Sequence, residues 1–245
     1  MTLPLVLSLP HCSSALPPEI APTLALDPLK ALVEADLGTA EVFAGLPVLA
    51  MVVAEWSRLA VDLNRDPADR GPQGVVARRS FGGRAVFLAG QEPDRAEVER
   101  RIAAYHRPYH QRLALALRAP GIKAFLDCHA MDPVGPDNAP DAGQSRAEVV
   151  LGNRGGDTCS MEMLERLGGA LAGQGLRVAY NTPYSGGYIT RRYGPGLMAR
   201  GIMAAQLELN KGLYLDMESQ RLIPPRLEDL RQRVSQALSE FAAGL

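Results

Sequence analysis

Short apolar runs alternate with amphipathic stretches along this chain. Leu3 to Leu9 (LPLVLSL) is continuously apolar and stops at Pro10, which predicts a buried strand. The Pro- and Ser-rich segment PHCSSALPPEIAP that follows reads as a loop. Residues 23–33 predict a helix, with Pro28 near its start or breaking it. Val48 to Ala54 and Ser57 to Leu63 predict two further strands. From Asn64 to about Gly83, Arg, Gly, Asp and Pro make one long irregular segment, and loops of that length in compact domains are usually functional or mobile. Asp94, with Glu97 at the capping-box spacing, opens the clearest helix, which runs to about Arg118 with a kink or break at Pro108. Ile122 to Cys128, Val149 to Gly152 and Leu176 to Asn181 predict strands, and Ser160 to Ala172 a helix. Met203 to Leu209 and Gly212 to Leu215 predict strands around a turn. Pro225 to Ala243 predicts an amphipathic helix, with Leu227, Leu230, Val234, Leu238 and Phe241 at three-to-four spacing. This alternation predicts a single α/β domain over residues 1–245, with a largely parallel mixed sheet and helices on both faces.

The composition narrows the class. Of 245 residues, 47% are hydrophobic and 22% charged, which is globular and excludes wholesale disorder. The formal net charge of −1 lacks the basic excess of a nucleic-acid binder. No apolar run approaches the ~20 residues that span a bilayer, and no Lys/Arg-rich start precedes the first apolar segment, so neither a membrane span nor a signal peptide is expected. The three cysteines, Cys12, Cys128 and Cys159, are an odd number and predict reduced thiols in a cytoplasm-like compartment.

The candidate chemistry begins with four histidines. His11 and His129 each lie just past a predicted strand end, where open α/β sheets form their sites. Each taken alone is either a hydrogen-bonded surface residue or a metal ligand; their matching placement favours a shared metal. Asp127, two residues before His129 on an extended segment, either caps a turn or orients that imidazole from behind. His106 and His110 sit at i,i+4 as in H-E-x-x-H zinc sites, but the Glu is missing and Pro108 disturbs the turn, so they read as packing or surface residues. Cys12 and Cys128 are adjacent in sequence to His11 and His129 and so face away from them, which argues against a Cys–His nucleophile. Glu208, between two leucines on a predicted strand, is either an outward-facing edge residue or a general base beside a metal. Arg65, Arg191 and Arg192 could bind carboxylates through their guanidinium forks.

Six stretches together resemble the N-formylglutamate amidohydrolase (N-formylglutamate deformylase) family. They are LSLPHCSSALP at 7–17, AVDLNRDPAD at 60–69, PYH at 108–110, FLDCHAM at 125–131, GGYITRRYG at 186–194 and QLELNKGLYLD at 206–216. The resemblance implies a zinc-carboxypeptidase-like (phosphorylase/hydrolase-like) α/β fold, related to the aspartoacylases, with one zinc ion per chain. It implies His11, Asp36 and His129 as zinc ligands, Glu208 as the base, and Asn64, Arg65, Arg191 and Arg192 around the substrate. On the extended segment expected there, only one of Arg191 and Arg192 can enter the site, and the family match favours Arg191.

The sequence departs from the pattern near the site. The carboxypeptidase Glu three residues after the first His is Ser14 here. The family's D-x-H-S reads Asp127-Cys128-His129-Ala130, and the basic residue often found just after it gives way to Met131-Asp132. The expectation is therefore a cytoplasmic zinc amidohydrolase acting on a small acidic N-acyl amino acid, most simply N-formyl-L-glutamate, in histidine degradation. Its alternatives are deacylation of another N-acyl amino acid, a carboxypeptidase-like activity, and a non-catalytic binding module.

Overall fold

In the computed structural model, which describes residues 2–137, 139 and 141–245, six strands form one sheet in the order β2-β1-β3-β6-β4-β5. They are β1 (Leu3–Leu9), β2 (Val48–Val53), β3 (Ala124–Met131), β4 (Val149–Gly152), β5 (Val178–Tyr180) and β6 (Met203–Asn210). All neighbours are parallel except β4 and β6. A largely parallel mixed sheet is thus what the apolar runs predict.

Helices cover both faces. Against one face lie α2 (Thr39–Phe43), α5 (Met161–Gly173) and α7 (Pro224–Ala243), packed on Leu5, Leu7, Leu126, Cys128, Leu207 and Leu209. Against the other lie α3 (Arg95–Arg101), α4 (Arg107–Ala116) and α6 (Tyr188–Met198), packed on Val6, Phe125 and Ala204. Central strands buried on both sides need apolar residues at nearly every position, which is why β1 reads as a run and not as an alternation.

The exceptions to that apolar rule lie toward the carboxyl ends of β1, β3 and β6. Ser8, Asp127 and Gln206 stand in one register row, and His129 stands opposite Glu208 in the next. All five are buried. From β1 the chain turns aside to the edge strand β2, then crosses back to β3 on the other flank of β1. A crevice opens at such a reversal, and ligands in open α/β sheets bind there.

Several elements differ from the sequence expectation. Ser57 to Leu63 is a run of turns, not a strand. Ser57 Oγ accepts the Leu59 N–H and its carbonyl accepts the Ala60 N–H, so the backbone is satisfied locally while Leu59, Val61 and Leu63 still bury. Gly212 to Leu215 is mostly a 3-10 turn, because the Asn210 side chain accepts the Gly212 N–H. Only Leu215–Asp216 (β7) pairs, with Arg221–Leu222 (β8). The helix expected at 23–33 is shorter, α1 (Pro28–Val33), capped by Asp27 with Pro28 in its first turn. β3 runs three residues further than expected, so His129 lies inside the strand. The segment carrying Arg191 and Arg192 is the helix α6, not extended chain.

The helix opened by Asp94 continues through its proline with a local change of hydrogen-bond pattern. Between α3 and α4 the backbone widens into a π-turn over Ile102–His106, where the Arg107 N–H reaches the Ile102 carbonyl. Pro108, in the first turn of α4, has no N–H to continue the α pattern.

Gly38 caps α2 at φ +84°, and a Cβ there would overlap the buried Tyr214 ring and come within 2.8 Å of Leu222. Gly38→Ala is therefore expected to cost about 2–4 kcal/mol, adding left-handed strain to overpacking. Urea denaturation of the variant against the parent chain reads this directly.

Candidate metal centre

Three buried side chains from separate parts of the chain converge at the crevice. His11 follows β1, His129 lies within β3 two residues before its end, and Asp36 lies just before α2, where its N–H donates to the His11 carbonyl at 2.9 Å. Asp36 Oδ2 lies 3.6 Å from His11 Nδ1 and 3.1 Å from His129 Nδ1. One ligand atom from each of the three lies within 4.8 Å of the others.

The far nitrogens are held by other acids. His11 Nε2 is 2.8 Å from Asp62 Oδ1, and His129 Nε2 is 3.3 Å from Asp127 Oδ2. A carboxylate on Nε2 fixes the Nε2–H tautomer and leaves the Nδ1 lone pair for a cation. Two such imidazoles with one carboxylate are a donor set that suits zinc. Asp62 is itself held by Arg58 at 2.6 Å, and Asp127 accepts hydrogen bonds from Ser8 Oγ at 2.9 Å and Thr190 Oγ1 at 3.3 Å.

The electrostatics follow from this pairing. Burial alone would raise the Asp36 carboxyl, but the neighbouring imidazoles of His11 and His129 outweigh it and hold Asp36 well below the usual carboxylate range. Burial likewise opposes the charge on Asp62, and Arg58 and His11 overcome it. Burial disfavours the His129 cation, yet Asp127 and Asp36 drive that imidazole well above its ordinary value.

Among the described residues, no cation donates a hydrogen bond to Glu208. Burial pushes its carboxyl up to about 7, with Asp36 and Asp127 adding to the rise and His129 opposing it. Its Oε1 accepts a 2.7 Å hydrogen bond from Gln206 Nε2, while Gln206 Oε1 accepts the Gly187 N–H.

All four groups line a cavity of about 430 Å³. Its wall also carries Arg58, Arg65, Lys211 and Arg146, and an apolar side of Leu26, Val33, Phe81 and Met131.

Other expected site residues lie elsewhere or are already engaged. Arg191 pairs with Asp66 at 3.2 Å on the surface, Arg192 lies over the Tyr193 ring, and neither borders the cavity. The reason is α6: on a helix, successive residues splay around the axis and do not alternate between two faces. Asn64 does border the cavity, with Oδ1 accepting the Ile189 N–H at 2.8 Å and Nδ2 3.1 Å from His129 Nε2. Ala130, where the family has a serine, packs against the core and also borders the cavity. Asp132 pairs with Lys211 at 3.2 Å, so a cation stands where the neighbouring sequence lacks one. Burial raises all three cysteine thiols, Cys12 and Cys159 to about 11, which leaves none as a thiolate nucleophile at neutral pH.

A sequence profile of the N-formylglutamate amidohydrolase family matches residues 3–215. The chain belongs to that family. Among N-formylglutamate amidohydrolase relatives, the N-formylglutamate deformylase of Pseudomonas putida is 30% identical over 235 residues, covering 87% of this chain and 82% of that protein. The crystal structure of N-formylglutamate amidohydrolase from Ralstonia eutropha JMP134 superposes with a TM-score of 0.80 at 23% identity, covering all of this chain and 96% of the other. A gene product of Agrobacterium tumefaciens gives a TM-score of 0.70 at 21% identity, over 97% and 91%. These two likenesses show that the fold is shared. Among the described residues no helix is long and apolar enough to cross a membrane.

Sequence reasoning missed Arg58, although an arginine four residues before an aspartate in an otherwise apolar stretch is a readable signal. It also left His106 and His110 open between packing and surface. Both are buried, and each directs Nε2 at a backbone carbonyl, of Arg65 at 3.0 Å and Leu63 at 2.9 Å. Burial lowers His110 to about 4, with His106 adding to the effect. An imidazole lowered on folding contributes stability that is whole above its unfolded value near 6.5 and is lost as the pH falls toward 4. Between pH 8 and 4.5 the parent chain should lose about 2–3 kcal/mol more than His110→Gln, measured as denaturation free energies in parallel series.

Proposed function

We propose that this chain hydrolyses the amide bond of an N-acyl amino acid at a zinc ion, with N-formyl-L-glutamate as substrate and formate and L-glutamate as products. The observation that carries the reading is the convergence of His11 Nδ1, Asp36 Oδ2 and His129 Nδ1 beside a carboxyl raised to about 7. Family membership and the deformylase relative at 30% identity support the choice of substrate. Both also favour catalysis over the binding-module alternative.

His11, Asp36 and His129 would hold the ion. When bound, zinc supplies Lewis-acid polarisation of the acyl carbonyl and acidifies a water molecule. Glu208 takes the proton from the attacking water and delivers it to the departing amine nitrogen. A carboxyl near 7 is suited to both halves of that transfer. Gln206 fixes Oε1 of Glu208, so Oε2 is the oxygen that carries the proton. Arg58 keeps one arm on Asp62 and borders the cavity, where it can donate to the acyl oxygen as charge develops.

Substrate carboxylates fall to the cavity's cations. Arg65 spends Nε on the Gln73 carbonyl and one terminal nitrogen on its neighbour's carbonyl, leaving the other nitrogen for a ligand. Lys30 and Arg84 also line the cavity and serve a second carboxylate, while Arg146 and Lys211 there are paired with Asp141 and Asp132. The apolar wall of Leu26, Val33, Phe81 and Met131 favours a second reading within the same chemistry, an N-acyl amino acid bulkier than formylglutamate. A panel of N-formyl, N-acetyl and N-succinyl amino acids, assayed with metal analysis alongside, decides between the two.

His11→Ala and His129→Ala should each lose most of the bound zinc with native-like far-UV circular dichroism. Unchanged metal content in both would remove the metal reading. Glu208→Gln should keep its zinc and lose ~10²–10⁴-fold in kcat with little change in KM. A Gln variant within a few-fold of the parent chain would show that the base lies elsewhere.

A further inference from the structure

Asp62, Asn64 and Arg65 sit on a segment with no strand ladder to fix its height over the site. Its backbone is tied by few bonds of its own, one of them from the Asn64 N–H to Asp62 Oδ1 at 2.9 Å. The Asp62 N–H donates to the Val75 carbonyl at 2.7 Å, and the Arg65 N–H reaches the Asp62 carbonyl at 3.3 Å. The carbonyls of Leu63 and Arg65, on either side of Asn64, accept instead from His110 Nε2 and His106 Nε2.

We propose that His106 and His110 are positioning residues, which set the placement of Asn64 and Arg65 by holding the two carbonyls that flank Asn64. The inference rests on the amidohydrolase reading, in which Arg65 binds a substrate carboxylate. The geometry is specific. The π-turn at Ile102–His106 brings the two rings together, with centroids 4.2 Å apart and an interplanar angle of 31°. Single π-turns inside helices recur at functional sites. Tyr193 stacks on the far side of His110 at 5.9 Å, and its hydroxyl lies 3.0 Å from His110 Nδ1, an arrangement that suits an Nε2–H tautomer aimed at Leu63. A pair of aliphatic side chains would fill the same volume without desolvating two imidazoles. What the imidazoles add is two directed donors on alternate carbonyls of one short segment.

The test is a double-mutant cycle on KM for N-formylglutamate, run with His106→Leu/His110→Leu and Arg65→Met. The histidine pair, changed alone, should raise KM roughly tenfold while zinc content stays near one per chain. In the Arg65→Met background the same change should leave KM nearly unmoved, since a residue acting through Arg65 has nothing left to place. His106→Gln, whose amide can still donate to the Arg65 carbonyl, should restore KM to within a few-fold of the parent value. A purely structural pair predicts the opposite pattern: a smaller active fraction with unchanged KM, or effects that add across the cycle. Either result overturns the proposal. If the double Leu variant does not fold, His106→Leu alone carries the same cycle, because it removes only the bond to Arg65. A parent chain that hydrolyses N-formylglutamate with additive effects sinks the positioning role alone. A parent chain inactive on every N-acyl amino acid overturns both that role and the proposed function.

Discussion

A neutral imidazole has one lone pair and one N–H, so a histidine that presents Nδ1 to a cation must have its Nε2–H engaged elsewhere. Asp62 meets that requirement for His11 and Asp127 meets it for His129. Much of the surrounding chain exists to place those two acids. Asp127 stands in the middle of the sheet, where Ser8 and Thr190 satisfy its oxygens and bring β1 and α6 to bear on one side chain. Asp62 stands on an irregular loop, where Arg58 supplies the countercharge. Both are buried charges that would be costly to keep without these partners.

The same requirement explains the contrast between the acids at the site. Asp36, Asp62 and Glu208 are all buried, and burial opposes the charge on each. Asp36 and Asp62 are touched by cations or imidazoles and stay ionised. Glu208 is touched by a neutral amide and rises toward neutrality. One structural region thus holds fixed negative charge beside a carboxyl able to exchange a proton, and the difference comes from neighbours rather than from depth.

What the amino-acid pattern made legible was the part built from strands. β1, β3 and β6 are apolar runs interrupted by a few polar residues, and candidate groups follow or lie within them: His11 after the first, His129 and Glu208 within the others. Asp36 was legible only through family resemblance, because it precedes a five-residue helix too short to show a period. The strand expected at Ser57–Leu63 failed because burial of alternate apolar residues needs no ladder when Ser57 can close the turns itself. Arg191 and Arg192 were misplaced because Gly194, Pro195 and Gly196 hide the helical period of α6. The two histidines of the helix opened by Asp94 could not be assigned from spacing, since their partners are backbone carbonyls some forty residues away.

The strand order has a further consequence for how the molecule is assembled. β4 and β5 pair with each other and are made before β6, yet only β6 connects them to β2, β1 and β3. Until residues 203–210 are present, the strands β2-β1-β3 and the pair β4-β5 have no common neighbour to join them into one sheet. The strand that joins them also carries Gln206 and Glu208. No fragment ending earlier holds both the whole sheet and Glu208, so closing the sheet and placing that carboxyl depend on the same strand and on contacts distant in sequence.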